Sequence, residues 1–571
     1  MIARRRQSVS RGKVSLVTGM ERAAQIARSR LLFAAVVFAV GFVVMAARVV
    51  DVAILTDGNE PRLARVPAAA PLATGRADIV DRNGVLLATS LRAASLYADP
   101  TEIIDPAAAA AQLTGVLTDL KPAHIAAKLV QPKRFVWIKR HLTPAETFAV
   151  NRLGIPGLHF QTEERRVYPH GALAAHVTGF AGVDDTGLAG LEKALDSRIR
   201  GDQTPVRTSI DVRLQHIVRQ EVQRQIDDFS AVGGVGVVMA VDSGEVHALV
   251  SLPDFDANRA EVTPPEARFN RATLGVYEMG STFKIFNTAM ALESGAVTLR
   301  DGYDATKPIR IARFTISDYH AQKRWLSVPE IFMYSSNIGS VKIALDVGTE
   351  DQRAFLARLG FLDRLALELP ETGTPMTPRP WRQINTMTIS YGHGLSVTPL
   401  HLAGAVSTVV NGGLRHAPTL LAQDTPATGQ RVFSADTSKA MRRLLRLVVK
   451  SGTGRNADAR GFLVGGKTGT AEKSGVGGYR RKALLSSFVA AFPLNAPKFV
   501  ILVMVDEPKG NERSHGYATG GWVAAPAVKR IVARMAPLYG ILPIDENAPE
   551  IRRDLEMKLP TPKGGNRLAS F

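Results

Sequence analysis

Ser281-Thr282-Phe283-Lys284, Ser335-Ser336-Asn337 and Lys467-Thr468-Gly469-Thr470 stand in this order along a chain of 571 residues. None of them is informative alone. A chain of this length contains about two Ser-x-x-Lys strings by chance, and a second does occur, Ser10-Arg11-Gly12-Lys13, in a basic stretch. Context separates the two. Gly280 precedes Ser281, and Phe283, Phe286, Ala289, Met290 and Leu292 follow at helical spacing up to Gly295. The serine therefore falls near a helix N-terminus, where unpaired amides and the dipole favour an oxyanion. Lys284 projects from the same face, one turn on. A serine hydroxyl is a poor nucleophile without an adjacent base. A lysine serves as that base when burial and a neighbouring cation push its pKa down, and Lys467 is the candidate cation.

The second string follows Ser327-Val328-Pro329-Glu330, a capping box with proline in the first turn. The pattern predicts a helix through Met333, a break at the polar triplet, and a second helix from Ile338 to Leu345. Such a corner aims Ser335 and Asn337 into a cleft, Ser335 to pass a proton to a leaving amine and Asn337 to hold a substrate amide. In the third string, glycines at 465, 466 and 469 let a ligand approach a strand closely. A strand edge there can pair with an extended peptide. The Thr468 and Thr470 hydroxyls with Lys467 suit a terminal carboxylate, and the amides of Ser281 and Thr470 would form an oxyanion hole. Read singly, each string is equally a solvated helix face, a cap or a turn; their combination carries the information.

Around these strings the chain predicts an α+β multidomain fold. A helix over Val212–Phe229 precedes a hairpin of Val235–Val241 and Glu245–Val250 through Asp242-Ser243-Gly244. Three more strands are expected at Leu463–Ala471, Leu484–Phe492 and Phe499–Val505, with mostly helical sequence in between. This gives a five-stranded antiparallel sheet facing a helical lobe, with a ligand cleft between them, over residues 209–540. Residues 54–208 read as a separate platform of strands and helices. They include a hairpin turn at Asp81-Arg82-Asn83-Gly84 and a helix over Ala107–Leu117. Residues 541–571 are polar and end in Lys563-Gly564-Gly565-Asn566-Arg567, and are expected to form a disordered tail.

Composition is that of globular protein, 45% hydrophobic and 22% charged, and the absence of cysteine excludes disulfides, thiol catalysis and Cys-based metal sites. Neither a metal nor a cofactor is expected. The formal net charge of +19 is uneven: residues 1–30 hold eight basic residues against Glu21 alone. A nearly unbroken apolar run, Leu31–Ala47, follows and continues past Arg48 and Asp51. It predicts a single transmembrane helix over 31–53, with the basic tail, 1–30, in the cytoplasm and the chain from about residue 54 outside. A cleaved signal peptide fits less well, because Ala68-Ala69-Ala70 comes too late for a cleavage site. Beside a membrane span the basic tail is an orientation signal. With no zinc pattern and no basic–aromatic alternation, nothing points to nucleic acid.

With these strings in place, the chain resembles a class B penicillin-binding protein, and within that family the septal peptidoglycan D,D-transpeptidases. The resemblance runs from the anchor to about residue 540. It includes Asp81-Arg82-Asn83-Gly84, Arg166 to Gly171, Gly190-Leu191-Glu192, Phe269-Asn270-Arg271, Gly392-His393-Gly394 with Thr398-Pro399-Leu400, and Gly520 to Pro526. It implies an elongated α+β pedestal domain over 54–208 and a penicillin-binding transpeptidase domain over 209–540. Ser281 is implied as the acylated nucleophile, Lys284 as its base and Ser335 as a proton relay. Asn337, Lys467, Thr468, Gly469 and Thr470 are implied in substrate binding. The implied substrates are stem peptides ending in D-Ala-D-Ala, with β-lactams as their mimics. The implied partners are divisome proteins, including a polytopic glycan-polymerising glycosyltransferase, at the inner membrane of the septum. Met279 replaces the proline usual before Gly-Ser, and the join at Gly201–Thr208 is shorter than in many relatives. Other readings stay open: an elongation-type transpeptidase, a D,D-carboxypeptidase or β-lactamase in which water deacylates the enzyme, and a non-catalytic divisome scaffold or β-lactam sensor.

Overall fold

The structure, a computed structural model, describes residues 19–50, 75–311, 314–425, 428–475 and 478–559. The start of the basic tail, with Ser10 and Lys13, the linker at 51–74 and the end from 560 lie outside them. The chain divides into two compact units between Thr74 and Gly75.

The described residues of the first unit form one helix, α1 (Gly19–Val50). Its segment Arg28–Val49 has a mean hydropathy of 2.4 over 22 residues. At about 1.5 Å per residue this is about 33 Å, the thickness of a bilayer's hydrocarbon core. Its large apolar side chains, Leu31 to Val49, are all exposed, as a lipid-facing anchor requires.

The second unit begins with the pedestal. β1 (Ile79–Val80) turns through Asp81–Gly84 into β2 (Leu86–Ala98), where Asp81 Oδ1 accepts from the amides of Asn83 and Val85 and Gly84 adopts φ +86°. After α2 (Pro106–Val116) and α3 (Pro122–Leu129) comes β3 (Val136–Leu142), then α4 (Pro144–Asn151) and β4 (Leu158–Val167). Each of these three helices starts on proline, whose missing N–H would be unpaired there anyway. β3 and β4 flank β2 antiparallel, and β5 (Val206–Arg207) runs parallel to β1. A buried ionic knot closes the pedestal: Arg76 Nε and Arg166 Nε meet the two oxygens of Glu192 at 2.8 and 2.6 Å, with the Glu192 side chain fully buried. Arg166 and Gly190-Leu191-Glu192, far apart in sequence, are therefore two halves of one joint.

The catalytic half opens with α5 (Val212–Asp228), β6 (Gly233–Ala240) and β7 (Val246–Leu252). A largely helical insertion follows. It holds β8 (Tyr277–Glu278), α6 (Lys284–Glu293), the hairpin β9 (Ile309–Ile311) and β10 (Phe314–Ile316), α7 (Val328–Tyr334), α8 (Asn337–Val347), β11 (Ser396–Val397), α9 (Pro399–Val410) and α10 (Ala435–Ser451). β12 (Gly465–Gly475), β13 (Gly478–Phe492) and β14 (Phe499–Asp506) complete a sheet of order β12-β13-β14-β6-β7, antiparallel throughout. α11 (Ala525–Met535) and α12 (Pro549–Leu555) end the described chain.

The period of two along a strand splits the core. Val238, Ile501 and Val503 face one way, onto α5 and α11, while Val237, Leu502 and Met504 face the other, onto α9 and α10. Covered on both faces, β6, β7 and β14 are wholly buried.

Two expectations change. β12 and β13 run past Ala471 and start before Leu484, because Lys473, Ser474 and Gly475 pair with Arg480, Tyr479 and Gly478 beyond a register shift at Glu472, despite lacking apolar alternation. The disordered tail expected from residue 541 is folded to Leu559. The Ile544 amide donates to Gly461 O at 2.8 Å, Glu546 meets Arg446 and Lys450 at 2.7 Å each, and α12 buries Ile551 and Leu555. Its few apolar residues are spaced to seat one short helix on α10, which average polarity concealed.

Candidate active site

Gly280–Phe283 form one 3₁₀ turn that leads into α6 at Lys284. This puts Ser281 at the head of the helix with Lys284 beneath it, and Lys284 Nζ stands 2.9 Å from Ser281 Oγ. The capping box at Ser327 and Glu330 starts α7, which breaks where expected. Ser335 is its left-handed cap, at φ 61° and ψ 43°, a conformation that costs a residue with a side chain about 1–3 kcal/mol. The turn presents both oxygens of Ser335 to Lys284, whose Nζ lies 3.1 Å from Oγ and 2.7 Å from the carbonyl. Asn337 Oδ1 is 2.6 Å from the same nitrogen.

From the opposite wall, Lys467 on β12 reaches Ser335 Oγ at 2.9 Å. β12 is one of the sheet's two edge strands, with no strand on its outer side among the described residues. It passes close to the nucleophile: Gly280 holds φ +54°, and a Cβ there would stand 2.6 Å from Thr470 O. The Thr470 backbone is thus set beside Ser281. Thr468 Oγ1 lies 2.8 Å from Thr453 Oγ1, and Thr470 Oγ1 accepts from the Gly520 amide at 3.1 Å. A Cβ on Gly469 would strike Ser487 Oγ at 2.4 Å and Met279 O at 2.8 Å, so glycine is needed for strand and turn to meet. The structure brings all eight residues singled out by the three strings to one cleft.

Both lysines are buried, Lys284 1% and Lys467 0% exposed. Burial, and then repulsion from Lys467, hold Lys284 well below the usual lysine range, while Asp318 pulls weakly the other way. Burial pushes Lys467 down to about 7. Two ammonium groups around one hydroxyl are disfavoured, and an amine base beside Ser281 is the result.

Sequence reasoning missed the part played by Asp318. Its Oδ1 accepts from the amides of Asn337 and Ile338 at 2.6 and 2.9 Å, and its Oδ2 from Ser336 Oγ at 2.7 Å. It thus caps α8 from outside the helix. The neighbouring Ser317 carbonyl accepts from Asn337 Nδ2 at 2.9 Å, which fixes the amide whose oxygen faces Lys284. Thr453 was also missed. No local spacing signals either residue, because both act across the fold.

Residues 234–533 match the family model described as the penicillin binding protein transpeptidase domain, and residues 71–227 the penicillin-binding protein dimerisation domain. The chain belongs to the class B penicillin-binding proteins. This penicillin-binding protein is 41% identical over 481 residues to the probable peptidoglycan D,D-transpeptidase FtsI of Caulobacter vibrioides, with 82% of each chain covered. It is 30% identical over 509 residues to the peptidoglycan D,D-transpeptidase FtsI of Escherichia coli K12, covering 83% of this chain and 85% of the relative. Penicillin binding protein 3 of Mycobacterium tuberculosis, solved in complex with ampicillin, shares its fold at a TM-score of 0.68 and 23% identity. The match covers 86% of this chain and 99% of that one. The matched transpeptidase domain makes the catalytic half a serine-type acyltransferase.

Proposed function

We propose that this penicillin-binding protein is the septal peptidoglycan D,D-transpeptidase of its cell, working through an acyl-enzyme on Ser281. The observation that carries the reading is the unbroken run of contacts Ser281 Oγ, Lys284 Nζ, Ser335 Oγ, Lys467 Nζ, each step 2.9 to 3.1 Å. Lys284, as the neutral amine, takes the Ser281 proton while Oγ attacks the carbonyl of the penultimate D-Ala. The developing oxyanion lies between the Ser281 and Thr470 backbones. The C–N bond then breaks, and the proton passes from Lys284 through Ser335 Oγ to the departing D-Ala amine. A neighbouring stem's amine attacks the ester in turn, its proton retraces the relay, and Ser281 is regenerated. Lys467 with the Thr468 and Thr470 hydroxyls receives the donor's terminal carboxylate, the group that a β-lactam's carboxylate imitates.

The septal assignment rests on the two FtsI relatives. With the anchor's basic end in the cytoplasm, the pedestal and catalytic domains stand on the outer side of the inner membrane. There the pedestal is the surface for divisome partners, a glycan-polymerising glycosyltransferase among them. The test uses the full-length protein in detergent, a fluorescent penicillin, and a stem-peptide donor with an acceptor amine. Stable label on wild type and none on Ser281→Ala, together with D-Ala release and a cross-linked product, is the expected result. Label lost within seconds points to a β-lactamase, label never gained to a scaffold, and D-Ala release without cross-linking to a carboxypeptidase.

A further inference from the structure

The catalytic half carries a second concavity, which no step of the acylation chemistry uses. It lies at the end of the sheet where β6 turns into β7 and β13 into β14. Its volume is about 610 Å³, within the range of sites that hold a small molecule. Leu502 is level with Val489 and hence with Lys467. Lys498 stands four residues before Leu502, about 13 Å down the strands at about 3.3 Å per residue. The cavity is thus separate from the cleft around Ser281.

Its lining divides by chemistry. Val241, Val410, Leu414 and Pro497 give an apolar wall, to which Arg442 of α10 and Lys498 bring two cations. Asp242, exposed on the β6–β7 turn, is the one acid in the lining, and it forms no ion pair with either. Arg442 is only half used. Its Nη1 donates to the carbonyls of Leu494 and Asn495 at 3.2 and 3.4 Å, which fixes the guanidinium in place. Its Nε is buried with no hydrogen-bond partner, and its Nη2 donates to nothing among the described residues. The Nε–Nη2 edge is the one that grips two oxygens of a carboxylate or phosphate side-on. A buried donor left unpaired is costly until a ligand supplies its acceptor.

The walls belong to segments that also join the catalytic half to the pedestal. Gly244, two residues after Asp242, accepts from the Thr419 amide at 3.0 Å through its carbonyl, and Leu420 O accepts from the Ser209 amide at 2.8 Å. Leu414 lies in the stretch that leads to both. An occupant therefore touches the β6–β7 turn, α10 and the approach to this joint at once.

We infer that this cavity is a binding site for a small organic anion, an apolar body bearing one carboxylate or one phosphate monoester. The acid lies across the Nε–Nη2 edge of Arg442, with Lys498 as a second counter-charge, and the apolar body lies on Val241, Leu414 and Pro497. The site goes beyond the transpeptidase reading and stands without it.

The probes are phenylbutyrate, phenyl phosphate, the neutral phenylbutyramide and inorganic phosphate. Each is titrated into the full-length protein in detergent, with the cleft blocked beforehand by penicillin. Binding is read as slowed hydrogen exchange over residues 241–245, 411–416 and 494–498, which locates the ligand as well as counting it. The organic anions should protect these segments with a Kd of about 1 mM or tighter, the scale for about a dozen heavy atoms. The amide and inorganic phosphate should bind about tenfold more weakly or worse, lacking the acid or the apolar body. Arg442→Lys, which keeps the charge but loses the two-donor edge, should weaken the organic anions about tenfold. Lys498→Glu, on an exposed side chain, should weaken them about fivefold and serves if the Arg442 variant does not fold. Labelling by fluorescent penicillin certifies each variant. Protection by one organic anion alone supports the site and names its acid. No protection by either overturns the proposal, as does equal binding of the amide or of inorganic phosphate. So does binding that is undiminished in the folded variants.

Discussion

At the scale of single residues, the site is governed by two lysines that the fold keeps out of water. Lys284 must be neutral to accept the Ser281 proton, and burial with the nearby Lys467 lowers its pKa to make that possible. Acylation by a penicillin should therefore fall about tenfold per pH unit on the acid side of the Lys284 pKa; a profile with no acid limb at any pH where the protein stays folded would remove lysine as the base. Lys467 carries a cost that can be measured separately. It holds its proton up to 10.5 in the unfolded chain but only to about 7 in the fold. The native state thus binds fewer protons between these values, and stability rises with pH across the window. The destabilisation is complete below about pH 7 and disappears towards pH 10.5. Lys467→Met should abolish acylation yet raise the stability at pH 6, by an increment on the order of a few kcal/mol, and with it the unfolding temperature. That gain should shrink by pH 10, as thermal melts of both proteins at the two pH values would show.

At the scale of elements, the corner between α7 and α8 decides whether those lysines meet a working Ser335. The capping box and the polar triplet made the helix break legible, because helix starts are written in local chemistry. What holds the corner was not legible. Asp318 sits nineteen residues before Asn337, on a segment whose only local sign is a short β pattern. Tyr479 reaches Glu278 across 201 residues. Contacts at such separations leave no period in a sequence. The structure gives Asp318 two separable effects. Asp318→Asn weakens the cap on α8, worth about 1 kcal/mol, and removes the one negative charge that raises the Lys284 pKa. We expect slower acylation, by about 10- to 100-fold, with the acid limb of the pH–rate profile displaced to lower pH. A merely structural aspartate would reduce the rate without moving the limb, so stopped-flow acylation across pH discriminates between the two.

At the scale of the whole molecule, the sheet was readable because its inner strands are apolar on both faces, and the anchor because its length matches a bilayer. Composition misled at the C-terminus. Residues 541–559 are polar on average, yet Ile551 and Leu555 fall on one face of α12 and are buried at 8% and 4% exposure. Glu546 meanwhile ties Arg446, Lys450 and the Gly461 amide together. This segment braces α10, which leads to Thr453 and so to Thr468. Two buried aliphatic side chains contribute about 1.5–3 kcal/mol each, and the buried Arg446 would be left with only Asp458 and the Val464 carbonyl for partners. A chain ending at Gly540 should therefore melt several degrees lower than the full protein, while fluorescent penicillin still labels it at 20 °C. Glu546→Ala should reproduce part of the loss. An unchanged melting temperature for both would mean that the segment lies on the surface without bracing it.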